Sequence, residues 1–231
     1  MRAGNFTSSE IGALMTQGKV KGSFGAPALT YINEKNMERR LGRSLKEDTD
    51  SKPTDWGTCC EPYVFTLLGL EYSTISKQSI QHPDIDFWAG TPDSICYGHE
   101  NTVVDIKCPF TLKSFCQLVD GWEQGGITGL RDNHKDGDKF YYQLVSNACL
   151  IGCNYGELIV FCPYENELGA IDKLLYPWMA YSELPFLIAG RHYKNLNKFR
   201  FDIPEADKKA LTDRVIEAGK MLINTKTLTV A

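Results

Sequence analysis

A short apolar strand that carries two charges on one side is the feature that most constrains this chain. In "TVVDIKC" (102–108), Asp105 and Lys107 stand two apart. Side chains alternate faces along a strand, so both project the same way. Upstream lies "DFWAGTPDSICY", and the polar stretch "GHEN" separates the two runs. β-Branched and aromatic residues on both sides of a turn containing Gly and Asn predict a β-hairpin. Its turn can fold Asp93 back beside Asp105 and Lys107. Two adjoining carboxylates repel each other, and a divalent cation between them makes the arrangement favourable. Hard oxygen ligands suit Mg²⁺, with Mn²⁺ as a substitute, better than zinc. The backbone carbonyl of Ile106 is a further candidate ligand. Such a cluster can hydrolyse a phosphodiester, with the Lys107 ammonium stabilising developing charge or positioning water. A D-x-K spacing on its own more often marks a surface salt bridge, so the rest of the chain has to decide.

The rest of the chain predicts an α/β fold: a single domain with a central mixed β-sheet flanked by helices. "FTSSEIGALM" reads as a helix start with Thr7, Ser8 or Ser9 as N-cap. Pro27 opens a second helix, and Gly42 sits where its C-cap belongs. "KEDTDSKPTD" reads as a loop. Trp56 to Leu70 suits a buried helix, except that Pro62 lies inside it. "YYQLVSNACLIG" is helical in pattern, "GELIVFCPY" and "NKFRFDI" are strand-like, and Pro204 opens a last helix with Leu211, Val215, Ala218 and Leu222 at helical spacing.

No stretch approaches the roughly 18 uninterrupted apolar residues a membrane helix needs. "MRAGNFTSSE" lacks the apolar core of a signal peptide, so a cytoplasmic protein without a membrane partner is expected. The eight cysteines include no C-x-x-C pair. Without an export signal they read as small buried hydrophobes, although Cys149 and Cys153 could share a helix face and Cys162 keeps an iron–sulfur cluster open. The net charge of −4 argues on average against a nucleic-acid partner. A local basic stripe matters more, and Arg39, Arg40, Arg43, Lys46 and the pair Lys19/Lys21 could form one or simply be a solvated face.

The order of these motifs has a recognisable counterpart. "TPD", a hairpin turn and "VVDIKCPFT" resemble the active-site hairpin of phage lambda exonuclease-like nucleases, the YqaJ-type viral recombinases of the PD-(D/E)XK superfamily. "RAGNFTSSE" (2–10) is similar to that family's N-terminal R-x-G-x-x-T-x-S-E segment. "WGTCCE" (56–61) matches its W-G-x-x-x-E helix, and "YYQL" (141–144) falls where it has a glutamine. The resemblance implies a Mg²⁺-dependent 5′-to-3′ exonuclease on double-stranded DNA. Such an enzyme releases mononucleotides and leaves 3′ overhangs for a single-strand annealing partner. It also implies a homotrimer. Carried over, Asp93 and Asp105 bind metal and Lys107 is the catalytic lysine. Glu61 becomes an outer acidic residue, Gln143 holds the site, and Arg2 with Ser9 contacts the 5′-phosphate.

Some stretches depart from that pattern. Pro62 directly after Glu61 suggests that the helix begins there, with Glu61 as N-cap. "GGITGLRDNHKDGD" (125–138) is longer than the pattern requires and reads as a surface loop. Residues 165–190, around Trp178, read as an insertion that packs on the one domain spanning 1–231. Two other functions stay open: an iron–sulfur nuclease of the same superfamily, and a non-cleaving protein that holds DNA or a partner on a nuclease fold.

Overall fold

The computed structural model describes residues 3–45, 51–74, 79–97, 100–171 and 179–223. Five strands form the central mixed sheet, in the order β2 (Tyr72–Thr74), β5 (Ser94–Cys96), β6 (Thr102–Lys107), β7 (Tyr155–Phe161) and β8 (Leu196–Asp202). Only β6 and β7 are parallel neighbours; the other pairs are antiparallel. A second, three-stranded sheet places β4 (Trp88–Gly90) between β1 (Phe6–Thr7) and β3 (Ile80–Gln81).

Alternation along the central strands builds two cores. Val103 of β6 and Leu158 and Val160 of β7 point into the larger one. Val104, Ile106, Ile159 and Phe161 point into the smaller one on the opposite face. Helices α1 (Ala26–Leu41), α3 (Leu112–Asn133), α4 (Gly137–Ile151) and α6 (Glu205–Gly219) contribute to the larger core, with Phe6 and Trp88 from the second sheet. The smaller core is covered by α2 (Lys52–Leu67), through Trp56, Cys59, Cys60 and Val64, and by Leu168 and Ile171 of α5 (Leu168–Ile171). Met179 and Leu184 join it, so the described part of 165–190 packs on the domain, while Trp178 lies outside the described residues.

Several expectations need correction. The first arm of the hairpin is not one strand: β4 belongs to the small sheet, and only β5 pairs with β6. Pro92, which has no N–H to give a ladder, lies in the link between them. Residues 125–138 are not a surface loop. Helical structure continues to Asn133 through a break at Gly125 and Gly126, the latter with φ +59°, and α4 starts at Gly137. The break lets the two halves of α3 touch, since a Cβ on Gly129 would lie 2.2 Å from the carbonyl oxygen of Gly121. Nor does a helix begin at Pro62. The Ser51 side chain caps α2, which runs from Lys52 through Pro62. Thr58, whose carbonyl loses its helical partner to the proline, is exposed, so water can satisfy it. Residues 52–55 are therefore helical, and 46–50 lie outside the described residues. Finally, Ser9 caps no helix. The segment Ile11–Met15 is a short 3₁₀ turn whose N-cap is Glu10, without a side-chain cap bond.

Candidate active site

The end of β6 gathers the charged residues. β5 begins at Ser94, which pairs with Val104, so Asp93 lies just before the start of the ladder. Its Oδ2 accepts a 2.7 Å hydrogen bond from the backbone N–H of Ile106, and its own N–H donates to the Val104 carbonyl at 3.2 Å. The N–H and C=O of one strand residue face the same edge, so the Ile106 carbonyl also faces the Asp93 side rather than β7.

Asp105 and Lys107 project to the face covered by α4, as their spacing requires. Asp105 is fully buried, and its Oδ2 lies 2.6 Å from Lys107 Nζ. Gln143 of α4 reaches down to both: its Nε2 donates to Asp105 Oδ1 at 2.7 Å, and its Oε1 is 3.5 Å from Lys107 Nζ. Phe140, one turn earlier, places its ring 5.0 Å from the same ammonium. Burial pushes the Asp105 carboxyl up, Lys107 opposes this, and the adjoining Asp93 carboxyl, within hydrogen-bonding reach, adds to it. Burial works against charge on Lys107, but Asp105 and Asp93 outweigh it and the ammonium is held above its usual range.

These residues fit a hard divalent cation. Despite its contact with Lys107, Asp105 Oδ2 is a fully buried oxygen with no well-directed hydrogen bond. Two carboxyl groups stand beside one ammonium at the buried foot of the site, and Asp93, Asp105 and the Ile106 carbonyl offer hard oxygen donors there. A separate group, Asp120, Glu123 and His192, brings ligand atoms within 4.8 Å of one another on the surface. It lies on α3 and just before β8, outside the cluster of Asp93, Asp105 and Lys107, and Asp120 already accepts from Tyr193 Oη at 2.9 Å.

The remaining candidates are not all brought together. Glu61 sits in mid-α2, and α2 covers the sheet face opposite to the one bearing Asp105 and Lys107. Its neighbour Cys60 touches Cys108, the residue after Lys107, so Glu61 is near the strand end but comes from the other side. Ser9 lines a cavity of about 580 Å³ with Tyr31, Lys35 and Glu38. Arg2 and Lys46 lie outside the described residues. Arg39, counted in the basic stripe, spends its guanidinium on the carbonyls of Gly4 and Ile223. Cys149 is on α4, whereas Cys153 follows the C-cap Gly152, so the two do not share a helix face. Cys59, Cys60, Cys153 and Cys162 are buried free thiols.

Sequence reasoning missed the support beneath the site. Ser146 Oγ is bonded at 2.8 Å both to Ser8 Oγ and to Trp88 Nε1, all buried. One hydroxyl thereby ties the end of β1 and the strand leading to Asp93 to the helix that carries Gln143. The signal was present as Gln143, Ser146 and Asn147, polar residues at helical spacing on an otherwise apolar segment.

A model of the YqaJ-like viral recombinase domain matches residues 1–145. No curated protein sequence matches the chain. Among solved structures, a phage-related exonuclease from Haemophilus somnus 129PT superposes with a TM-score of 0.69 at 16% identity, over 94% of this chain and 92% of that one. An alkaline exonuclease from Laribacter hongkongensis gives 0.61 at 15% identity, over 95% of this chain and 89% of that one. Both share the fold. Among the described residues, no helix is long and apolar enough to cross a membrane.

Proposed function

The chain belongs to the YqaJ-like viral recombinase family, and on that premise we propose that it is a metal-dependent exonuclease digesting one strand of duplex DNA from the 5′ end. The observation that carries this reading is the buried unit of Asp93, Asp105, Lys107 and Gln143 at the end of β6. It unites an acidic pair with a cation and with a glutamine that orients it. Two solved structures of the same fold are described as exonucleases, which agrees with the reading.

Asp93, Asp105 and the Ile106 carbonyl would hold Mg²⁺, with Mn²⁺ as a substitute. When bound, the ion supplies charge stabilisation to the phosphate and makes water a better nucleophile at neutral pH. Lys107 keeps its ammonium beside the acidic pair, where it stabilises charge that builds on the scissile phosphate. Gln143 fixes the Asp105 carboxylate through one amide hydrogen and leaves its oxygen toward Lys107. Glu61 serves as an outer acid approaching from α2. Arg2 and Ser9 meet the 5′-phosphate of the strand being cut, Ser9 as a hydroxyl in a cavity wall rather than as a helix cap. Family membership also supports a homotrimer acting in the host cytoplasm beside a single-strand annealing protein, with mononucleotides and 3′ overhangs as products.

Polarity decides between this reading and a non-cleaving binder. A blunt duplex labelled at one 5′ end or one 3′ end, with and without a 5′-phosphate, is incubated in Mg²⁺. Early release of the 5′ label as mononucleotide, faster from the phosphorylated end, is expected. Early release of the 3′ label reverses the polarity, and no release from any substrate leaves a binding protein.

A further inference from the structure

Next to the catalytic strand lies a cavity of about 460 Å³, whose walls include Phe110, Lys113, Gln117, His134, Lys135 and Asp136. We propose that it binds one nucleotide of a DNA strand, the phosphate against Lys113 and Lys135 and the base against Phe110, a reading that rests on the nuclease function above. Its volume lies in the range of small-ligand sites, which run from roughly 300 to 1,000 Å³.

Position is the first argument. Cys108, which directly follows Lys107, also lines the cavity. The ring of Phe140 lies 5.0 Å from Lys107 Nζ and stacks on His134 at 5.5 Å, so one aromatic layer separates the acidic centre from the cavity wall. Charge is the second. Lys35, Lys139, Lys208 and Lys209 each lie within 4 Å of a carboxylate. Lys113 and Lys135 are exposed and, like Lys19, Lys21, Lys194, Lys198 and Lys220, have no ion-pair partner among the described residues, but these two face one cavity. Asp136 is the single acid against them in the wall. A basic groove with an aromatic side chain is the chemistry that holds single-stranded nucleic acid, through phosphate contacts and stacking.

The wall is also built to hold its shape. The N–H of Asp136 donates to His134 Nδ1 at 3.1 Å, so the neutral ring carries its proton on Nε2 and donates to Ser114 Oγ at 2.7 Å. Burial lowers the His134 pKa and so favours this neutral form. The bond ties the segment carrying Lys135 to the turn of α3 carrying Lys113. It also leaves the Ser114 hydroxyl proton available to an acceptor in the cavity.

The nucleotide could belong to the strand left uncut or be the released mononucleotide, and both present the same phosphate and base. The test uses the intact protein with Ca²⁺ replacing Mg²⁺ and measures anisotropy of a labelled oligothymidylate across a salt series. Wild-type cleavage of a duplex in Mg²⁺ is followed in parallel. Against wild type, the Lys113→Ala/Lys135→Ala pair is expected to bind on the order of tenfold more weakly, with the salt slope reduced by about 0.7 for the one phosphate no longer neutralised. Lys135→Glu should weaken binding further, and Lys135→Arg should restore it. Deoxynucleoside monophosphate is added as a competitor. Displacement that is lost in Lys135→Glu assigns the cavity to product, and oligonucleotide binding without such displacement assigns it to the uncut strand. If the lysine variants bind oligonucleotide and monophosphate as wild type does, or wild type binds neither, the proposal is overturned, whether or not the duplex is cut. Lysine-dependent binding without duplex cleavage would keep the site and overturn the nuclease reading.

Discussion

Gln143 Nε2 donates a 2.7 Å hydrogen bond to Asp105 Oδ1, while its Oε1 faces Lys107 Nζ at 3.5 Å. One side chain from α4 thereby sets the rotamer of both charged residues on β6. Outer partners of this kind typically contribute about 10- to 100-fold in metal affinity or activity. Gln143→Leu, close in volume but without the amide, is therefore expected to lower activity by about that factor and to raise the metal concentration needed for half-maximal rate. A metal titration of initial rates checks it, and an unchanged curve would remove Gln143 from the site.

The acidic pair predicts a metal-linked stability. At a metal concentration about a hundred times its dissociation constant, a ligand bound only to the folded state stabilises it by about 2.7 kcal/mol. Mg²⁺ or Mn²⁺ should therefore raise the Tm of wild type. Asp93→Asn and Asp105→Asn should each lose most of that rise, since each removes a charged oxygen ligand. Equal rises in wild type and both variants, measured by thermal melts in EDTA and in metal, would place the ion elsewhere, with the Asp120–Glu123–His192 group the next to be mutated.

Ser146→Ala tests the support under the site. The change leaves the buried Trp88 Nε1–H and the Ser8 hydroxyl without their partner. An unsatisfied buried donor costs about 1–3 kcal/mol. Urea denaturation should show a loss of that size, and a loss below about 0.5 kcal/mol would mean that Trp88 and Ser8 find other partners.

Pro62 offers the opposite sign. It is exposed in the middle of α2, where proline is about 3 kcal/mol less favourable than alanine. The stiffer unfolded chain returns about 0.4–1 kcal/mol to the proline form. Pro62→Ala should therefore stabilise the protein by about 2 kcal/mol. A fall in the denaturation midpoint would mean that α2 needs its proline.

The strand carrying Asp105 and Lys107 was legible because a period of two leaves little choice: with Val104 and Ile106 committed to one core, Asp105 and Lys107 must face the other side. The N-cap at Glu10, the continuous α2 and the mostly helical course of 125–138 were not legible from local signals. Ser9 is a good cap by type, Pro62 a good helix stop, and paired glycines a good loop. Water at the exposed Thr58 carbonyl lets α2 run through Pro62, and the contact between Gly121 and Gly129 turns the paired glycines into a break within helical structure.

The central claim is that Asp93, Asp105 and Lys107 form a metal-dependent hydrolytic centre, and one comparison tests it directly. A 5′-phosphorylated, 5′-end-labelled blunt duplex is incubated with wild type and with Lys107→Ala, in Mg²⁺ and in EDTA, while duplex affinity is measured in Ca²⁺. Wild type should release labelled mononucleotide only in Mg²⁺. Lys107→Ala should bind the duplex within a few-fold of wild type and cut it slower by about 100-fold or more, as for loss of a group that acts on the transition state. Release by wild type in EDTA, or turnover near wild type in Lys107→Ala, would contradict the account.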